Sequence, residues 1–204
     1  MLKQRLMKVV NIAYDILGNK IASGSIVVYN EASLQLQFGL ILKTLGQLYE
    51  YSPDEHFIVL LETPQKVSTA KSRKGNARCD IKLILYGGKE NQCTAYIELK
   101  YLRKSTKKSS DEAVTDNRFS VWADVENLEQ YKGESNDIGY EIVFTNNANH
   151  TEPKQTKFCI GEGLSILPGT YPHTKNRKIT LKGTYPLQWT TLGEKKYLLK
   201  IDVM

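Results

Sequence analysis

The chain has no apolar run approaching the roughly 20 residues that cross a bilayer, and its start, Met1-Leu-Lys-Gln-Arg-Leu-Met-Lys8, lacks the continuous apolar stretch of a signal peptide. Both absences predict a soluble chain with no membrane partner. Cysteine is scarce: Cys79, Cys93 and Cys159 are odd in number and at no metal-ligand spacing, which predicts reduced, mostly buried thiols in the cytosol. Histidine is scarcer in effect. His56, His150 and His173 fall in separate loop-like contexts, are expected at the surface, and form no catalytic pair or Ser-His-Asp triad. Zinc chemistry and serine-type nucleophilic catalysis are therefore poorly served. Internal repeats and linker-like stretches are absent too, so residues 1–204 are read as a single domain.

What is present is an ordinary globular composition, 41% hydrophobic and 25% charged, with an unevenly spread net charge of +6. From Gln65 to Arg78 lie Lys66, Lys71, Arg73, Lys74 and Arg78 with no acid. After Lys100 come Arg103, Lys104, Lys107 and Lys108, again with no acid. Asp111 to Glu141 is mainly acidic. Two basic stretches thus flank residues 78–100, as a polyanion-binding site would require.

Apolar residues at helical spacing (Leu2, Leu6, Val9, Val10, Ala13, Ile16, Leu17) predict a first helix stopping at Gly18-Asn19. A second begins at Asn30 as N-cap and runs to Gly46, with Leu34, Phe38, Ile41 and Leu45 as its stripe and Glu31 in its first turn. Phe57–Glu62 is a strand. Residues 78–88 and 94–100 form a hairpin turning at Gly87-Gly88, residues 104–117 a loop, and residues 118–132 a helix. Gly139–Thr145 is a buried strand. Pro168–Thr174 reads as a loop, and Ile179–Gly183 and Lys196–Val203 read as strands around an aromatic segment. Tyr185 and Trp189, near Lys182, could pack an added strand or stack bases, packing being favoured. The order of elements predicts an α/β sandwich around a mixed sheet.

The chemistry concentrates in the hairpin. Asp80 opens one apolar strand, and Glu98 and Lys100 lie two apart on the next, on one face, with Ile97 and Leu99 opposite. Two carboxylates, helped by the Leu99 backbone carbonyl, are oxygen donors of the kind Mg²⁺ takes, and a metal there polarises a phosphate and acidifies water. Lys100 stands beside that water. Phosphodiester hydrolysis is the implied reaction. Gln35, one turn after Glu31, reaches the same place or simply faces water, and Glu62 is an additional ligand or structural.

Asp80 with Glu98-Leu99-Lys100 resembles the motif of the PD-(D/E)xK nuclease superfamily, which includes type II restriction endonucleases. Cys79 stands where the motif's proline would be. The resemblance covers about residues 30–145 and implies a restriction endonuclease-like three-layer sandwich, a central mixed β-sheet flanked by helices. Around that core lie an N-terminal helix and a C-terminal β-rich extension. Glu31 matches a glutamate such enzymes carry in the preceding helix. The implied activity is Mg²⁺-dependent endonuclease cleavage of double-stranded DNA, with Mn²⁺ as a substitute. Symmetric cutting of both strands calls for a homodimer. A structure-specific repair, recombination or mobile-element nuclease and a non-catalytic nucleic-acid-binding module are the alternatives.

Overall fold

The computed structural model describes residues 1–67, 69, 76–88, 91–103, 111–132, 137–154, 156–174 and 177–203. Its frame is a mixed six-stranded sheet in the order β1-β2-β3-β4-β10-β9. The strands are β1 (Glu55–Lys66), β2 (Asn76–Gly87), β3 (Gln92–Leu102), β4 (Ile138–Thr145), β9 (Trp189–Thr191) and β10 (Tyr197–Val203). β1, β2 and β3 are antiparallel neighbours. β3 and β4 run parallel, a pairing that needs a crossover, which helix α3 (Asp111–Tyr131) supplies. Helices α1 (Leu2–Ala22) and α2 (Glu31–Gln47) bury one face of the sheet, on Ile81, Leu83, Ala95, Ile97, Leu99 and Ile142. α3 buries the other, on Tyr96, Val143, Leu199 and Ile201. Helices on both faces of a mixed sheet are compatible with a three-layer sandwich. Two short β-pairs, β5 (Ser165–Ile166) with β8 (Tyr185–Pro186) and β6 (Gly169–Thr174) with β7 (Arg177–Leu181), complete the described strands. No helix among the described residues is long and apolar enough to cross a membrane.

α2 starts where expected. The Asn30 Oδ1 accepts the Ser33 N–H at 2.8 Å, and the Ser33 hydroxyl accepts the Asn30 N–H, closing a capping box. This fixes Glu31 in the first helical turn. α1 does not stop at Gly18-Asn19 but runs to Ala22, because Gly18 is buried against the sheet. A Cβ there would lie 3.2 Å from Leu192 Cδ2, and Ile21 continues the buried stripe four residues after Leu17. That glycine serves close approach, not termination. Gly46 does the same at the end of α2, where a Cβ would fall inside the Phe57 ring. Gly46→Ala is accordingly expected to cost about 2 kcal/mol or more, read as a lowered urea midpoint at unchanged m-value.

Three other elements depart from expectation. α3 begins at Asp111, seven residues before 118. Residues 168–174, read as a loop because of Pro168, Gly169 and Pro172, hold strand β6, whose ladder with β7 shifts register between Pro172 and Thr174. His150 is buried at 1% exposure in a single 3₁₀ turn capped by the Asn147 side chain. Burial, then the charges of Arg118 and Lys154, push its pKa down to about 4.

A neutral His150 stabilises the fold above the unfolded-state pKa near 6.5 and loses that contribution as pH falls from 6.5 toward 4. The expected loss is about 2 kcal/mol by pH 5. Melting temperatures at pH 7.5 and 5 should diverge less in His150→Gln than in the wild type. The three thiols are free, Cys79 and Cys93 buried and Cys159 partly so, as the cysteine count implied.

Candidate active site

Asp80 occupies the point where β2 loses its pairing with β3 and misses one pair with β1. The β1 ladder pairs Leu61 with Ile81 and Thr63 with Cys79 and skips the pair between, where Glu62 adopts a φ of 51°. On the other side β2 is in register with β3 from Ile81 to Tyr86 and no further. Across the break the strand also changes faces: Ile81 packs under α1 and α2, whereas Cys79 packs with α3. Backbone groups freed by a parting of strands must find other partners. Here side chains supply them. The Leu99 N–H donates to Asp80 Oδ2 at 2.7 Å, the Asp80 carbonyl accepts from Gln35 Nε2 at 2.8 Å, and the Tyr101 N–H donates to Glu31 Oε2 at 3.3 Å. Gln35 Nε2 also donates to Glu62 Oε1 at 2.9 Å, so both second-rank residues belong to this junction.

Lys100 threads the same gap. Its Nζ lies 3.4 Å from Glu31 on α2 and 3.1 Å from Asp124 on α3, linking helices from opposite faces of the sheet. Its side chain is 13% exposed, that of Asp124 0% and that of Glu31 45%. Burial works against the charge on Lys100, yet Asp124, Glu141 and Glu31 outweigh it and hold its pKa above the ordinary lysine value. Glu98 is 2% exposed and faces α3, accepting the Tyr131 hydroxyl on Oε1 at 2.8 Å. Burial, followed by the charge and hydrogen bond of Glu98, keeps that phenol protonated. Glu98 is also the register partner of Glu141 on β4, which is wholly buried.

Asp80, Lys100 and Glu31 lie together at the junction, and alternation runs as expected along β3: Glu98 and Lys100 address α3 while Ile97 and Leu99 sit under α1 and α2. Asp124, Tyr131 and Glu141 were not singled out. Tyr131 fell on an apolar stripe, Glu141 inside an apolar run, and Asp124 is one acid among many on an acidic helix.

The site is short of positive charge. Burial pushes the Asp80 carboxyl up to about 6, although the Leu99 N–H and Lys100 both pull it down, and Asp124 and Glu31 push it further. All donors are carboxylate or carbonyl oxygens, the hard ligands that Mg²⁺ takes. Among the described residues no group of three or more His, Cys, Asp or Glu side chains is placed to hold a metal ion. Mg²⁺ needs none: it binds through one or two carboxylates, waters and substrate phosphates. By chemical type the donors suit the ion.

Of the flanking cations, Lys66 on β1, Arg78 on β2 and Arg103 just after β3 are exposed. Lys71, Arg73, Lys74, Lys104, Lys107 and Lys108 lie outside the described residues. Tyr185 and Trp189 are packing residues: Tyr185 is buried and bonds Glu129, and Trp189 Nε1 donates to the Ile160 carbonyl at 2.6 Å. Compared with protein families, curated proteins and solved structures, the chain has no match.

Proposed function

We propose that this chain is a Mg²⁺-dependent endonuclease of the PD-(D/E)xK type with a restriction endonuclease-like core, acting on double-stranded DNA as a homodimer. The observation that carries the reading is the junction itself. Asp80, Lys100 and Glu31, from three different elements, lie together where β2 loses its pairing with β3, Glu98 stands two residues before Lys100 on the same face of β3, and carboxylates crowd the Lys100 ammonium.

Mg²⁺ held by Asp80, Glu98 and the Leu99 carbonyl would neutralise phosphate charge and lower the pKa of a bound water. Asp80 is oriented for this by the Leu99 N–H, and Glu98 by Tyr131. Lys100, kept cationic by Asp124 and Glu31, donates hydrogen bonds to phosphate or water and stabilises developing negative charge. An ammonium so held does not take up a proton, so Lys100 acts here as an electrostatic group and not as the base. Glu31 joins α2 to the site through both Lys100 and the Tyr101 N–H. Lys66, Arg78 and Arg103 are placed to meet flanking phosphates.

The test is nicking and linearisation of supercoiled plasmid with Mg²⁺ or Mn²⁺, alongside linear, flap and branched substrates. Discrete plasmid fragments support the restriction-like reading, and preference for flaps or branches supports a structure-specific nuclease. Absence of cleavage on every substrate and metal overturns the enzyme reading.

A further inference from the structure

From Gly163 to Gly193 the chain carries no Asp or Glu. Within this stretch β6 and β7 form a two-stranded antiparallel ribbon lying along α3. Its inner side is apolar and anchored: Ile179 and Leu181 are buried in the α3 core. The acids it meets come from α3 and are taken up on that inner side. Glu126 accepts the Thr180 N–H, Glu129 accepts the N–H groups of Lys182 and Gly183 and the Tyr185 hydroxyl, and Asp116 pairs with His173 and Arg177. Arg177 also stacks on Phe119, 4.5 Å from the ring centroid.

The outer side is left with Lys178, Lys182 and hydroxyls. Thr170, Pro172, Thr174, Lys178 and Thr180 are all exposed, and the Thr170 and Thr180 hydroxyls lie 3.1 Å apart across the strands. A ribbon anchored on one side, acid-free outside, threonine-rich and edged by lysines, has the width and donors suited to a B-form major groove, which is about 12 Å across and admits a two-stranded β-ribbon. We infer that the β6–β7 ribbon is a second DNA-contacting element, entering the major groove of duplex DNA with Lys178 and Lys182 on the backbone phosphates. Duplex DNA as the partner rests on the nuclease reading. The ribbon itself stands outside the Asp80 junction and contributes none of its residues.

The experiment measures binding without turnover: fluorescence anisotropy of a 30-base-pair duplex in EDTA and in Ca²⁺, across a salt series, for wild type and Lys178→Ala/Lys182→Ala. Circular dichroism controls for folding. Loss of two phosphate contacts should weaken duplex DNA binding about tenfold and reduce the slope of log K against log salt by about 2. An unchanged slope overturns the inference. Duplex RNA, whose major groove is deep and narrow, should bind the wild type more weakly and be indifferent to the substitutions. RNA binding that is equally tight and equally sensitive overturns groove entry. Because no cleavage is read, the two ideas separate. A lost slope with no nuclease activity anywhere keeps the ribbon and removes the enzyme, and robust cleavage with an unchanged slope does the reverse.

Discussion

Asp80→Asn should abolish Mg²⁺-dependent plasmid cleavage, by about a thousandfold or more, while making the metal-free protein more stable. The first effect follows from removing a charged ligand whose work is done only when the metal and phosphate are present; losing one such electrostatic element costs roughly 10²–10³ or more in rate. The second follows from burial. Asp80 is held at a pKa of about 6, above its unfolded value of 3.8, so ionising it costs the folded state free energy. A raised carboxyl contributes most below pH 3.8 and loses that contribution as pH rises through 6, and near pH 7 the deficit is roughly 2–3 kcal/mol. Asparagine keeps an oxygen to accept the Leu99 N–H and carries no charge. The gain in melting temperature should therefore be full at neutral pH and fade toward pH 4. Unchanged cleavage would remove the site assignment. Lost cleavage with lowered stability would show that the carboxylate's structural bond, and not its charge, dominates.

The reason Asp80, Glu98 and Lys100 were legible in the sequence is geometric. Strand alternation has a period of 2, so two charges two apart inside an apolar run announce a shared face without knowledge of the fold. Asn30 was legible because a capping residue acts within three residues of itself. The partners that complete the site are long-range. Asp124 meets Lys100 only because α3 crosses back over β3, and almost every residue from Arg118 to Leu128 is buried between the sheet on one side and the β6–β7 ribbon on the other. The stripe Phe119, Trp122, Val125, Leu128 and Tyr131 marks the helix, but on a helix covered all round it does not say which of the acids faces the sheet. A glycine misled for a related reason. Gly18 reads as a stop by local rules, but α1 runs past it, and at both Gly18 and Gly46 a side chain from elsewhere needs the space. Prolines misled the same way in β6, since a ribbon edge tolerates what a central strand would not.

The second large effect concerns the lysine clamp, where structure and catalysis can be separated. Lys100→Met removes the ammonium that lies between Glu31 and a fully buried Asp124, taking a counter-charge away from a carboxylate in the interior. Breaking a buried pair in this way costs about 3–5 kcal/mol, whereas replacing both partners by neutral groups is often close to neutral. Lys100→Met alone should therefore be severely destabilised and inactive, and Asp124→Asn alone should lose less, because Lys100 keeps Glu31. Lys100→Met/Asp124→Asn should recover most of the stability, giving a coupling of about 2 kcal/mol or more in a urea double-mutant cycle. Cleavage should not return with it, since the ammonium that faces the phosphate is still missing. A double variant that is both stable and active would make the clamp a structural strut and leave Lys100 no part in the chemistry. Recovery of neither would mean that Glu98 and Glu141 also depend on the Lys100 charge to stay buried side by side. In that case the lysine supports the whole acidic layer under α3, and its contribution to rate has to be read from Asp124→Asn. That variant keeps the ammonium and changes only where it is held.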